Sequence, residues 1–189
     1  MIPTLGETLL ALAGLWRFAR EGAPALRWFD RSMAGFWRSF GVAVIAAPLQ
    51  AMLIATQTAA PADAAGWFRL VAVEASAYVI GWVAFPLVLY HIATRLDRVP
   101  HYIDFVIIYN WSYIPILAIS LVVALLLGEG GLPDGLMQVV AALFYIGVLS
   151  FEWFIARQTL RLGGLACAGL VAIDFAITVL VESAVASMT

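Results

Sequence analysis

Apolar residues fill five long stretches of this chain, approximately Phe40 to Ala60, Trp67 to Leu89, Ile103 to Leu127, Leu136 to Phe154 and Leu165 to Val185. A helix needs roughly 20 such residues to cross a hydrocarbon core about 30 Å thick, so each stretch predicts a transmembrane helix. Pro61 and Asp63 mark the first link, and Gly128, Gly130, Gly131, Pro133 and Gly135 crowd the third. Both read as short turns, which makes successive helices antiparallel neighbours. The expected fold is all-α: a polytopic membrane bundle of five helices over 40–189, with amphipathic interfacial helices over 1–39.

Within that N-terminal region, Thr4 to Glu7 has the S/T-x-x-E capping-box pattern, and Leu5, Leu9, Leu12 and Trp16 recur at helical spacing. Gly22 and Pro24 break the chain, and a second helix is expected from Ala25 to Phe40. At 100° per residue, Arg27, Arg31 and Arg38 share a sector of about 40°, opposite Phe29, Met33, Phe36 and Phe40. Such a face suits lipid headgroups, where each guanidinium contributes about 1 kcal/mol on an anionic leaflet. The alternatives are that these arginines only set topology and anchor the first span, or that the helix binds a protein partner.

Charge placement supplies the orientation. All ten basic residues are Arg, and nine of them precede the first span, lie between spans two and three (Arg95, Arg98), or lie between four and five (Arg157, Arg161). Arg69 is the exception, while Asp63, Glu129 and Asp134 occupy the opposite side. Because cytoplasmic flanks retain the positive excess, the N-terminus is expected in the cytoplasm and the C-terminus outside. With 64% hydrophobic and 12% charged residues, water is not the main solvent. A formal charge of -2 implies no nucleic-acid partner, and the lone Cys167 sets no redox compartment. Abundant Ala and Arg with no Lys suit a GC-rich bacterial genome, hence an inner membrane.

Polar groups inside the spans are costly, about 2.5 to 3.5 kcal/mol for a carboxyl near a helix centre, so their positions carry information. Asp174, Thr178 and Glu182 repeat at i, i+4, i+8 on the fifth span; Gln138, Tyr145 and Glu152 share a face of the fourth. Glu74 and Tyr78 pair on the second, Gln50 and Gln57 on the first, and Tyr109, Asn110 and Tyr113 lie in the third. One reading is a hydrated proton or cation path along Glu74, Tyr78, Asn110, Tyr145, Glu152, Asp174, Thr178 and Glu182. The other is hydrogen bonding between helices that serves packing. Ala43, Ala47, Ala51, Ala55 and Ala59 form a small-residue row that lets backbones approach, and Pro48, Pro86 and Pro115 should kink their spans.

His91 and His101 flank a loop that also holds Asp97 and Asp104. Their separation, with Pro100 between, matches no common ligand spacing, and no metal is expected. P-loop, HExxH, GxSxG and CxxC patterns are absent, which leaves an enzyme or a cofactor without support.

The five-span plan with a cytoplasmic amphipathic N-terminus, together with Tyr109-Asn110-Trp111-Ser112-Tyr113-Ile114-Pro115 in the third span, resembles the Yip1-like membrane proteins over roughly 36–185. The Asp-Leu-Tyr-Gly-Pro element of eukaryotic members is missing. The resemblance implies a membrane-organising or assembly role, with the bilayer and a homo-oligomer or membrane-protein partner as its contacts. A small proton- or cation-coupled transporter or channel is the alternative.

Overall fold

The computed structural model describes residues 2–128 and 133–188; Glu129, Gly130 and Gly131 of the third link and the terminal Thr189 lie outside them. The described residues are helical, in the order α1 (Leu5–Glu21), a 3-10 turn (Ala23–Trp28), α2 (Met33–Phe40), α3 (Val42–Gln57), α4 (Ala64–Arg95), α5 (Val99–Gly128), α6 (Asp134–Leu160) and α7 (Gly164–Met188). Among the described residues five segments are long and apolar enough to cross a membrane: Met33–Gln57, formed by α2 and α3 together, and one each in α4, α5, α6 and α7. The fold is all-α and fits a multi-pass membrane protein.

α5 is the central helix. It packs against α1, α2, α3, α4 and α6, while α7 packs against α4 and α6. Its inner stretch is the most enclosed part of the chain, with Phe105, Val106 and Ile108 fully buried. The helices run past the apolar stretches at the arginine-rich end, α4 as far as Arg95 and α6 as far as Leu160. Pro48, Pro86 and Pro115 all lie inside helices that continue through them. At the other end the Asp63 carboxylate caps α4, accepting from the Gly66 amide at 2.7 Å.

α1 carries the expected capping box: Glu7 N–H donates to Thr4 Oγ1 at 3.3 Å and Thr4 N–H donates to Glu7 Oε2 at 2.7 Å. Those bonds from Thr4, backbone first, hold the Glu7 carboxyl below the usual range, with Arg38 assisting. The carboxylate half of the cap is therefore present at neutral pH and weakens as acid protonates Glu7, while Thr4 Oγ1 still accepts from the Glu7 amide. Gly22 ends the helix at a φ of 70°, where a side chain would also strike the Gln158 amide 2.6 Å away. That amide accepts from Ala23 N–H at 3.1 Å, tying the turn to α6.

The second expected N-terminal helix takes a different form. It is a 3-10 turn, a non-helical step, and then the short α2, whose N-cap Ser32 accepts from Gly35 N–H at 3.1 Å. Ser32 competes for backbone donors better than it propagates a helix, so the continuous 100° wheel does not hold from Arg27 to Arg38. Arg31 instead reaches α5, with Nε 2.5 Å and Nη2 2.6 Å from the two oxygens of Asp104. Arg38 pairs with Glu7 at 2.9 Å and lies 4.0 Å from Asp30. Phe29 and Phe36, expected on a face that dips toward acyl chains, are instead buried within the protein, whereas Met33 of the same face is exposed.

The Asp104 side chain is only 5% exposed while Arg31 is 51% exposed, so the carboxylate depends on this partner more than the arginine does. Arg31→Met is expected to lower stability by about 1–3 kcal/mol, because it leaves a buried charge unpaired. Arg31→Met with Asp104→Leu should recover most of that loss in a thermal-unfolding cycle. Strict additivity of the two single losses would show that the bidentate pair contributes nothing.

Candidate functional site

Between α3, α5, α6 and α7 lies an open cavity of about 460 Å³. Its wall draws on the polar positions of each helix: Gln50 and Gln57 from α3, Tyr109, Ser112, Tyr113 and Ser120 from α5, Tyr145 and Glu152 from α6, and Asp174, Thr178 and Glu182 from α7. The i, i+4, i+8 spacing of the last three sets them on one face of α7, rising about 12 Å along the axis. Exposure grows in the same direction. Glu152 is 7% exposed and Ile155 is 1% exposed, whereas Thr178, Glu182 and Gln57 are exposed. The cavity thus opens toward the end away from the arginines and is blind at the level of Glu152.

At that blind end three side chains from three helices meet. Tyr109 donates its hydroxyl to Asp174 Oδ2 at 2.9 Å, and the Glu152 carboxyl meets that of Asp174. A carboxyl donates a hydrogen bond only while it carries a proton, so two carboxyls in contact form a place where a proton is held or exchanged. The Glu152 Oε1 atom is buried and receives no hydrogen bond from a donor among the described residues. At the level of the trio Ile155 lines the cavity and is 1% exposed, and about one turn along their helices from Tyr109 and Asp174 lie the buried Phe105 and Leu170. Phe105 stacks on Tyr109 with ring centroids 5.5 Å apart, fixing the tyrosine in place.

Five of the eight residues expected on an intramembrane polar path line this cavity: Tyr145, Glu152, Asp174, Thr178 and Glu182. The other three lie elsewhere. Asn110 points to α2, donating from Nδ2 to Ser39 Oγ at 2.9 Å in a buried pair. Tyr78 donates to the Ala43 carbonyl at 2.7 Å, and with Glu74 it lines a separate groove between α3 and α4. Ala47, Ala51 and Ala55 of α3, with Ala59 just beyond it, form the other wall of that groove. Gln138 is exposed, away from the cavity that Tyr145 and Glu152 share.

Two of the four loop residues weighed as metal ligands have other partners. Asp104 is held by Arg31, and His91 Nδ1 lies 2.8 Å from the Leu87 carbonyl of its own helix. No group of three or more His, Cys, Asp or Glu ligands gathers among the described residues.

Near the arginine-rich end, Arg17 stacks over Trp28 at 4.2 Å and Arg20 over Trp16 at 4.5 Å. Trp16, Trp28 and Trp37 are exposed, which gives this end an arginine–tryptophan belt of the kind that sits at a headgroup layer.

The chain matches no family model, no curated protein sequence and no solved structure. The class that fold and site define is a helical multi-pass membrane protein with an acidic, one-ended cavity.

Proposed function

We propose that this protein is a small proton- or cation-coupled transporter of a bacterial inner membrane, with the N-terminus cytoplasmic and the C-terminus periplasmic. The observation that supports it is the Tyr109–Asp174–Glu152 trio at the blind end of a polar cavity. Carboxyls in a span are costly, and α6 and α7 bring theirs to one spot beside the Tyr109 hydroxyl of α5. A site that opens to one end, with packed side chains toward the other, matches one half of an alternating-access cycle. Proton exchange between Glu152 and Asp174 would couple to entry of a cation from the outside. The direct test is flux into proteoliposomes under an imposed proton gradient, comparing the wild type with the Asp174 variants described below.

Topology underlies this reading and has its own check. A reporter active only outside the cytoplasm should work when fused after Thr189 or inserted near Gly131, and should be silent near Arg161. The reverse pattern would turn the cavity mouth to the cytoplasm and sink the outward-open assignment.

The arginine–tryptophan belt favours a second reading, the membrane-organising or assembly role that the Yip1-like resemblance implies. It needs no flux, and it makes the exposed belt the working surface for the bilayer or for a second membrane protein.

A further inference from the structure

The acidic cavity is built for a particular kind of cation. Among the described residues its wall holds three carboxyls, Glu152, Asp174 and Glu182, and no basic side chain. Its demand is therefore for positive charge. A dehydrated metal ion wants several oxygens converging at about 2 to 2.6 Å. Here only Glu152, Asp174 and the Tyr109 hydroxyl converge, and Glu182 stands two turns away on α7. At about 460 Å³ the space is many times the ~30 Å³ share of one water and falls in the range of organic-ligand sites.

The rest of the wall is aromatic and aliphatic. Tyr113, Phe144, Tyr145 and Phe151 stand around the space with branched aliphatic residues between them. Aromatic rings attract organic cations through their faces, and the aliphatic positions take an apolar body. The decisive atom is Glu152 Oε1. It belongs to a side chain that lines the cavity, is 7% exposed and meets Asp174, and it receives no hydrogen bond from a donor among the described residues. A buried carboxylate oxygen without such a bond is satisfied by an N–H donor, and best by a charged one.

We infer that the blind end of the cavity is a binding site for a protonated primary or secondary amine that carries an apolar body. The ammonium head donates to the Glu152 and Asp174 carboxyls, and the body lies among the aromatic rings toward Glu182. A quaternary ammonium has no N–H for Glu152 and binds more weakly at the same charge. This inference rests on the transport reading for its biological sense, but its chemistry is tested apart from flux.

The test uses the purified full-length protein in detergent micelles and three probes of similar shape: 4-phenylbutylammonium, its N,N,N-trimethyl analogue and the neutral 4-phenylbutanol. Equilibrium binding should rank the primary ammonium first, about tenfold or more above the trimethyl analogue, and the alcohol last. Glu152→Gln should erase most of the advantage of the ammonium over the alcohol, with a melting scan confirming that the variant is folded. The wild-type ranking stands as evidence even if that variant does not fold. Equal affinity for ammonium and alcohol would reduce the site to an apolar hole and overturn the inference, as would an unchanged preference in a folded Glu152→Gln. Proton flux without amine binding would remove the inference and leave the transport reading. Amine binding without flux of either species would do the opposite.

Discussion

Replacing Asp174 by Asn is expected to abolish coupled flux in proteoliposomes while the protein still folds and inserts. Asn keeps the size of the side chain and still accepts the Tyr109 hydroxyl, which now sits 2.9 Å from Asp174 Oδ2. What it loses is the ability to take and release a proton opposite Glu152. Asp174→Leu is the companion experiment. It removes the acceptor from Tyr109 and the neighbour from Glu152, and should lower stability by about 1–3 kcal/mol through unsatisfied buried groups. A site that only ties helices together gives another pattern: Asp174→Asn nearly silent in every assay and Asp174→Leu destabilising.

The second large effect concerns the N-terminal region. Phe18→Ala should destabilise the whole bundle by about 3–5 kcal/mol, the range for emptying a buried aromatic site. Phe18 is fully buried, and its ring meets Phe154 of α6 edge-on with centroids 5.6 Å apart. Trp16, two residues earlier and 62% exposed, should change stability by less than about 0.5 kcal/mol when truncated. Thermal unfolding of the two variants in one detergent checks the contrast. A small effect of Phe18→Ala would mean that α1 is a loosely attached appendage. A large one makes residues before α3 part of the packed protein.

That second expectation marks the boundary of what the residues alone disclosed. Helix number and approximate position were legible because five apolar stretches of the right length have no competing interpretation. The face of α7 bearing Asp174, Thr178 and Glu182 was legible from spacing within one helix, and so was the pairing of Tyr145 with Glu152. Which faces meet across helices was not. Asn110 and Glu74 have the same polar character as Glu152, yet the fold turns Asn110 toward Ser39 and Glu74 into the groove between α3 and α4. Periodicity fixes a residue on its own helix and says nothing about the neighbour it faces.

The N-terminal arginines show a related gap. A wheel drawn through Ala25 to Phe40 assumed one helix, and Ser32 starts a new one in its middle. Arg31 then finds an acid 73 positions away, a pairing with no local signal. The Thr4–Glu7 cap, in contrast, lies within one turn and was readable from its motif.

The central claim is that water and cations reach the Asp174 level from the end opposite the arginines. The most direct measurement places a single cysteine at Thr178 after the native Cys167 is replaced by Ala, and treats sealed vesicles of known orientation with a small, membrane-impermeant cationic thiosulfonate. The expected result is rapid modification of Thr178→Cys from the face opposite the arginine-rich loops, slowed when the Glu152 and Asp174 carboxyls are neutralised. Modification from neither face, while the same cysteine reacts once the protein is unfolded in SDS, would show Thr178 shielded from water and would contradict a solvated cavity.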